Sequence, residues 1–351
     1  SIALSANPAA APADMPAADP TPMIRQATGN ETVSFANDVA PLLVENCSGC
    51  HLDAMQIRGG LRMDTFAAMM RGGDSGAMIT PGRGEASLLV KKLRGTATDG
   101  QRMPDGGRPP LADAAISLIS KWIDAGATID ANESQPVTVI SRLAWAAKAT
   151  SSELSGKRLE LAEQSLSLAF PDTPAERRST GYFQVIGNAS PQTLELVGQL
   201  AEKKMKLIRS LVRPVSGKSA EDYFTGKATV FAMPRRYDYS EFAKMAERRS
   251  LPANWSAHWR SDGIDAYIAV VASETDSPEQ IENRLLAPLA SLAVAARGAD
   301  VPRWFAHGIG QASALKQNAT SRAEKETLRT LAATAALSVK DAKAFLDNRL
   351  T

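Results

Sequence analysis

The chain has 351 residues, a length that favours two domains over one. Apolar side chains make up 44% and charged ones 22%, which supports packed cores and excludes global disorder. A net charge of +2 argues against a nucleic-acid surface, two cysteines three positions apart exclude a disulfide framework, and no apolar run is long enough to span a membrane.

Residues 1–33 are rich in Ala and Pro, as in Pro8-Ala9-Ala10-Ala11-Pro12. Such an arm cannot bury enough apolar surface to order itself. It is expected to be a linker, or to be held across its own body or a neighbouring subunit, which would give it a role in self-assembly or in a larger complex. The chain opens on Ser1, read here as the start of a mature form whose export signal has been removed.

Residues 34–131 read as a small helical domain. Phe35, Val39, Leu42 and Leu43 recur at helical spacing, and so do Ala115, Ile116, Ile119, Trp122 and Ile123. The second run begins near Asp113, and Gly126 is placed to stop it. A Gly- and Pro-rich stretch lies between them, and residues 132–150 read as a connector.

Residues 151–351 change character. Tyr182–Gly187, Ala228–Met233 and Ala266–Ala272 are short β-branched or aromatic runs, read as strands. Helical patterns cover about 191–212, 240–249, 278–297, 302–317, 321–336 and 339–349. The fold class is therefore mixed: a small all-α domain followed by an α+β domain with a helical C-terminal end.

Both cysteines fall in Cys47-Ser48-Gly49-Cys50-His51. Two thiols on one turn can add to the two vinyl groups of haem, and the histidine that follows then faces the iron as an axial ligand. A redox dithiol needs a strand-to-helix setting and no histidine. A zinc site needs further ligands, and the other histidines, His258 and His307, lie far along the chain. One covalent haem c is the expectation, with Cys47, Cys50 and His51 as its anchors. Such attachment is carried out outside the bacterial cytoplasm, so a periplasmic or extracellular location is expected.

The second iron ligand is sought among Met55, Met63, Met69, Met70, Met78 and Met103. Met55 is too close to His51 to reach the opposite face, and Met69 and Met70 sit in a helix-like run that suits core packing. Met103 precedes Pro104 in a loop just before the last helix, and it is the expected ligand. A His/Met pair raises the reduction potential and closes the iron to substrate, which points to electron transfer.

Residues 35–130 resemble a planctomycete-type cytochrome c domain, a variant of the class I fold. The matching pieces are Phe35 to Leu43, the haem motif, Gly60-Leu61-Arg62-Met63-Asp64, Ile79-Thr80-Pro81-Gly82, Ser87-Leu88-Leu89, Met103-Pro104 and Trp122 to Ala127. The resemblance implies first and last helices that cross, with haem held between them and the Met103 loop.

Residues 180–315 are similar, through Tyr182 to Gly187 and Val301 to Gly310, to gluzincin-like peptidases of the peptidase MA type. Those enzymes carry His-Glu-x-x-His on a helix. Here the corresponding helix, Ile281 to Leu292, has no histidine, and His307 stands where a glutamate ligand is found. No zinc and no zinc peptidase activity are expected. His258 is read as a hydrogen-bonded loop residue, His307 as a helix residue satisfied by a local acceptor, and Trp255, Trp259 and Trp304 as packing anchors.

These readings add up to an exported electron-transfer cytochrome with redox protein partners, whose C-terminal domain docks or assembles. The alternatives are a haem-containing hydrolase, for which no nucleophile–base pair is legible, and a binding or structural protein that uses haem as a staple.

Overall fold

Ser34 precedes the first helix and caps it, its hydroxyl accepting from the Asn37 amide at 2.9 Å. The helix opens with a wide turn over Phe35–Val39 and continues as α1, Ala40–Cys47, with Pro41 just after the junction. The computed structural model of the protein describes residues 24–98, 101–211, 223–298, 301–318 and 326. The chain divides into two compact units, Ser1–Ala144 and Trp145–Thr351.

In the first unit α1 is followed by α2 (Phe66–Arg71), α3 (Leu88–Arg94), α4 (Asp113–Asp124) and the start of α5 (Val137–Lys148), which runs past the boundary at Ala144. The apolar stripe of α4 is fully buried at Ile116, Ile119, Trp122 and Ile123. Phe35 packs edge-on against Phe66 with ring centroids 4.8 Å apart, and lies 5.4 Å from the Trp122 ring. The Trp122 indole N–H donates to the Thr128 carbonyl at 2.8 Å, so its polar atom is satisfied inside the core. Gly126 ends α4 as expected: its φ of +106° suits a residue without a Cβ.

Two boundaries differ from the sequence reading. Arg25 to Ala27 pair with Ile129 through Ala27 N–H to Ile129 O at 2.8 Å and Ile129 N–H to Arg25 O at 2.9 Å, and Val33 is buried. The last ten residues of the expected arm therefore belong to the first unit. The arm's residues 1–23, and with them its expected role in assembly, lie outside the described residues. The expected connector holds α5, whose Val137 and Ile140 are buried in the first unit's core. Apolar residues in its first turn, not a loop composition, decide its structure.

The second unit starts with α6 (Ser151–Ala169), opened by a reciprocal cap between Thr150 and Glu153. Then come β1 (Glu176–Ser179), β2 (Phe183–Gly187), α7 (Pro191–Leu211), β3 (Ala228–Met233), α8 (Arg236–Ala246), β4 (Ala257–Ser261), β5 (Ala266–Val271), α9 (Pro278–Ala295) and α10 (Arg303–Asn318). The sheet order is β1-β2-β3-β5-β4. The middle strands β2, β3 and β5 run parallel, with Val185 beside Val230 and Val230 beside Ile268, and both edge strands are antiparallel. Helices cover both faces, which explains why the central strands are apolar at almost every position. Val185, Val230 and Ile268 pack with α7 and α9, while Ile186, Phe231 and Tyr267 pack with α6 and α8.

One buried charge ties α6 to this sheet. The Arg158 side chain donates to the carbonyls of Ile264 at 2.6 Å, Thr225 and Lys227 at 3.1 Å, and Phe224 at 3.2 Å.

The strands and helices read from sequence between 182 and 317 are present. α8 begins at Arg236 rather than 240, because Tyr239 and Phe242 form its buried face. Strands β1 and β4 were not expected. His258 is therefore a strand residue and not a loop residue. The helices expected at 321–336 and 339–349 lie outside the described residues.

Candidate functional site

Cys47 is the last residue of α1, and the chain then folds back on itself. Gly49 takes a φ of +84°, and its N–H donates to the Leu52 carbonyl at 2.8 Å. The His51 amide donates to the Cys47 carbonyl at 3.1 Å. This turn brings Cys47, Cys50 and His51 to the wall of one cavity of about 190 Å³.

The other walls come from distant parts of the first unit. Leu89 and Leu93 of α3, Leu61, Met78 and Met103 line the same cavity. The Met103 amide donates to the Lys92 carbonyl at 2.9 Å, which pins the loop to α3. The segment 61–63 straps the histidine: His51 Nδ1 lies 3.1 Å from the Leu61 carbonyl oxygen, and the Met63 amide donates to the His51 carbonyl at 2.9 Å. A ring nitrogen next to a carbonyl carries the proton, so Nε2 is left as the lone-pair nitrogen.

Burial pushes the Cys47 thiol up to about 11, with Arg108 pulling the other way. A thiol held protonated is a poor exchange nucleophile. Arg108 donates to the carbonyls of Ser48 at 3.2 Å and Asn46 at 3.3 Å, which stiffens the motif. Among the described residues, Arg58, Lys92 and Arg108 line the cavity along with a single acid, Asp105, which lies 4.0 Å from Arg58.

All four residues singled out from sequence thus line one cavity. Of the six methionines considered, Met55 is fully exposed, Met63, Met69 and Met70 are buried in the core, and only Met78 and Met103 line the cavity. Sequence reading passed over α3 as a wall, although Leu89, Val90 and Leu93 carry a short helical repeat. It also placed the last helix at the cavity. No residue of α4 is among the lining residues; α4 packs on Phe35 and leaves the wall to α3.

Two thiols on one turn, an imidazole with one engaged nitrogen, and a thioether in an apolar cavity fit a covalently tethered haem. The donor set suits an iron porphyrin better than a bare metal ion. Among the described residues no three His, Cys, Asp or Glu side chains converge as a metal-holding group.

In the second unit, His258 Nε2 lies 2.7 Å from Glu247 Oε1 and Nδ1 2.7 Å from the Tyr239 hydroxyl, so its structural reading stands on two named partners. Burial works to raise the Glu247 carboxyl, but hydrogen bonds from His258, Tyr267 and Arg249 outweigh it and hold the group at about 2. His307 is exposed on α10 and makes no hydrogen bond with the described residues, contrary to the local acceptor expected for it.

The family model described as Planctomycete cytochrome C matches residues 47–106. The matched stretch starts at Cys47 and contains Cys50, His51 and Met103. A cytochrome c domain implies haem c, and that part of the chain is similar to one. The match ends at residue 106, before the second unit, and lends no support to the peptidase resemblance expected there. No curated protein and no solved structure matches the chain.

Proposed function

We propose that this chain is an exported monohaem c-type cytochrome that transfers electrons to or from a protein partner. The observation that carries the reading is the meeting of Cys47, Cys50, His51 and Met103 on one mainly apolar cavity. When bound, haem c supplies a one-electron iron couple. The protein's own part is to bind, orient and shield. Cys47 and Cys50 would tether the haem through their sulfurs. His51 would offer one iron-binding atom, its ring oriented by the Leu61 carbonyl. Met103 would offer the other, its loop held by the hydrogen bond from its amide to the Lys92 carbonyl. Leu61, Leu89 and Leu93 exclude water, which lowers the reorganisation that accompanies a change of charge.

A rim of Arg58, Lys92 and Arg108 against Asp105 favours an acidic partner surface. The second unit is read as a non-catalytic docking or assembly module on a peptidase-like scaffold. In support, α9 carries no histidine, and its Glu282 is held by Lys203 and Lys204, the latter at 2.9 Å.

The test is expression with an export signal in a host that matures c-type cytochromes, followed by fractionation. Haem should stay on the polypeptide through a denaturing gel, be lost in the Cys47→Ala, Cys50→Ala double variant, and cycle reversibly between two oxidation states. Haem that leaves with acid and solvent, or a protein found only in the cytoplasm, would overturn the proposal.

A further inference from the structure

The second unit holds a larger cavity than the first, about 720 Å³, between edge strand β4 and helices α9 and α10. We propose that this groove binds a small aromatic carboxylate. The inference concerns the second unit alone and does not depend on the haem reading.

The first observation is charge. Three arginines line the groove, Arg249, Arg284 and Arg303, and among the described residues no Asp or Glu does. Two of them are already matched: Arg249 by Glu247 at 2.5 Å and Arg284 by Asp276 at 2.8 Å, carboxylates that do not line the groove. Arg303 is different. Among the described residues no carboxylate lies within ion-pair distance of it, and its guanidinium sits 5.6 Å from the Trp259 ring centroid. Arg303 is also the first residue of α10, a helix of 16 residues, where the backbone amides add partial positive charge. His307 and Gln311 follow at intervals of four, so one stripe of α10 presents donors to the groove.

The second observation is shape. Trp255, Trp259 and Trp304 supply flat apolar wall, so the ligand needs more than a charge. An anionic head for Arg303 and His307, joined to a flat body for the tryptophans, describes an aromatic carboxylate. The volume lies in the range usual for such ligands.

The experiment is calorimetric titration of the full-length, haem-loaded protein with benzoate, with benzyl alcohol and inorganic phosphate as controls. Benzoate should bind with about millimolar affinity, as its few atoms allow, and benzyl alcohol and phosphate at least about tenfold more weakly. Arg303→Gln should weaken benzoate binding about tenfold. His307→Gln, a change at an exposed position, serves as a second variant and should also weaken it. The visible haem spectrum should not move in any variant. Benzoate binding no tighter than benzyl alcohol, or unchanged in Arg303→Gln and His307→Gln, would overturn the proposal. Phosphate binding as tightly as benzoate would overturn its aromatic part and leave a simple anion site.

Discussion

His51 Nδ1 and the Leu61 carbonyl oxygen, ten residues apart in sequence, lie 3.1 Å from each other. The contact fixes which imidazole nitrogen is free and which way the ring faces. It depends on the backbone at residues 59–61 that leads into the strap, and that backbone passes so close to Gly73 that a Cβ there would lie 2.5 Å from the Gly59 carbonyl oxygen and 2.9 Å from the Leu61 nitrogen.

Gly73→Ala is therefore expected to push the strap away from His51. The first unit should lose about 1–3 kcal/mol, the usual cost of forcing an extra methyl into packed backbone. The Leu61 bond raises the basicity of the ligating nitrogen and so favours oxidised iron, and weakening it should raise the reduction potential. Potentiometry on the variant checks this. Gly156→Ala, in open space on α6, is the control and should stabilise by up to about 1 kcal/mol with no shift in potential.

Met103 and Met78 both line the cavity, so they can be tested against each other. Met103→Ala should lower the reduction potential and allow added imidazole or cyanide to bind the iron, both visible in the absorption spectrum. Met78→Leu should keep the native spectrum and cost less than about 1.5 kcal/mol, as volume-conserving core changes do. The reverse pattern would move the ligand to Met78.

Arg158→Met removes the donors to four backbone carbonyls while keeping most of the side chain's bulk. The second unit should lose about 3–5 kcal/mol, because the orphaned carbonyls stay buried. Denaturant unfolding followed by circular dichroism should report the loss. Haem absorbance, a probe of the first unit, should be unmoved at native conditions.

Glu247 gives the second unit a predicted acid sensitivity. Its folded pKa of about 2 is below the ordinary carboxylate value. The stabilisation is therefore complete above the unfolded pKa near 4.5 and is lost as pH falls toward 2. The shift corresponds to on the order of 3 kcal/mol. Stability measured between pH 6 and 2.5 should fall steeply in the native protein. The slope should be shallower in Glu247→Gln.

The Cys47 to His51 motif was legible because all its chemistry is contiguous. The place of Met103 on the cavity wall was legible because Met-Pro in a loop is a local signal. The walls of the cavity were not, since Leu61 and α3 reach His51 only through the fold. In the second unit the parallel strands announced themselves as β-branched apolar runs. The edge strands did not: β1 reads Glu-Arg-Arg-Ser, and β4 alternates His258 and Arg260 with its buried Trp259. α6 was hidden for a related reason. Its buried positions are Leu154, Arg158, Ala162 and Leu166, a helical spacing with a charge in the middle of the apolar stripe.

That arginine also has a consequence for kinetics. Its four acceptors lie 66, 67, 69 and 106 positions further along the chain. Contacts that close such long loops form late, after the sheet has assembled. Interactions absent from the folding transition state act on the escape rate and not on the rate of arrival. Arg158 therefore acts as a latch: without it the second unit should fold about as fast and open much sooner.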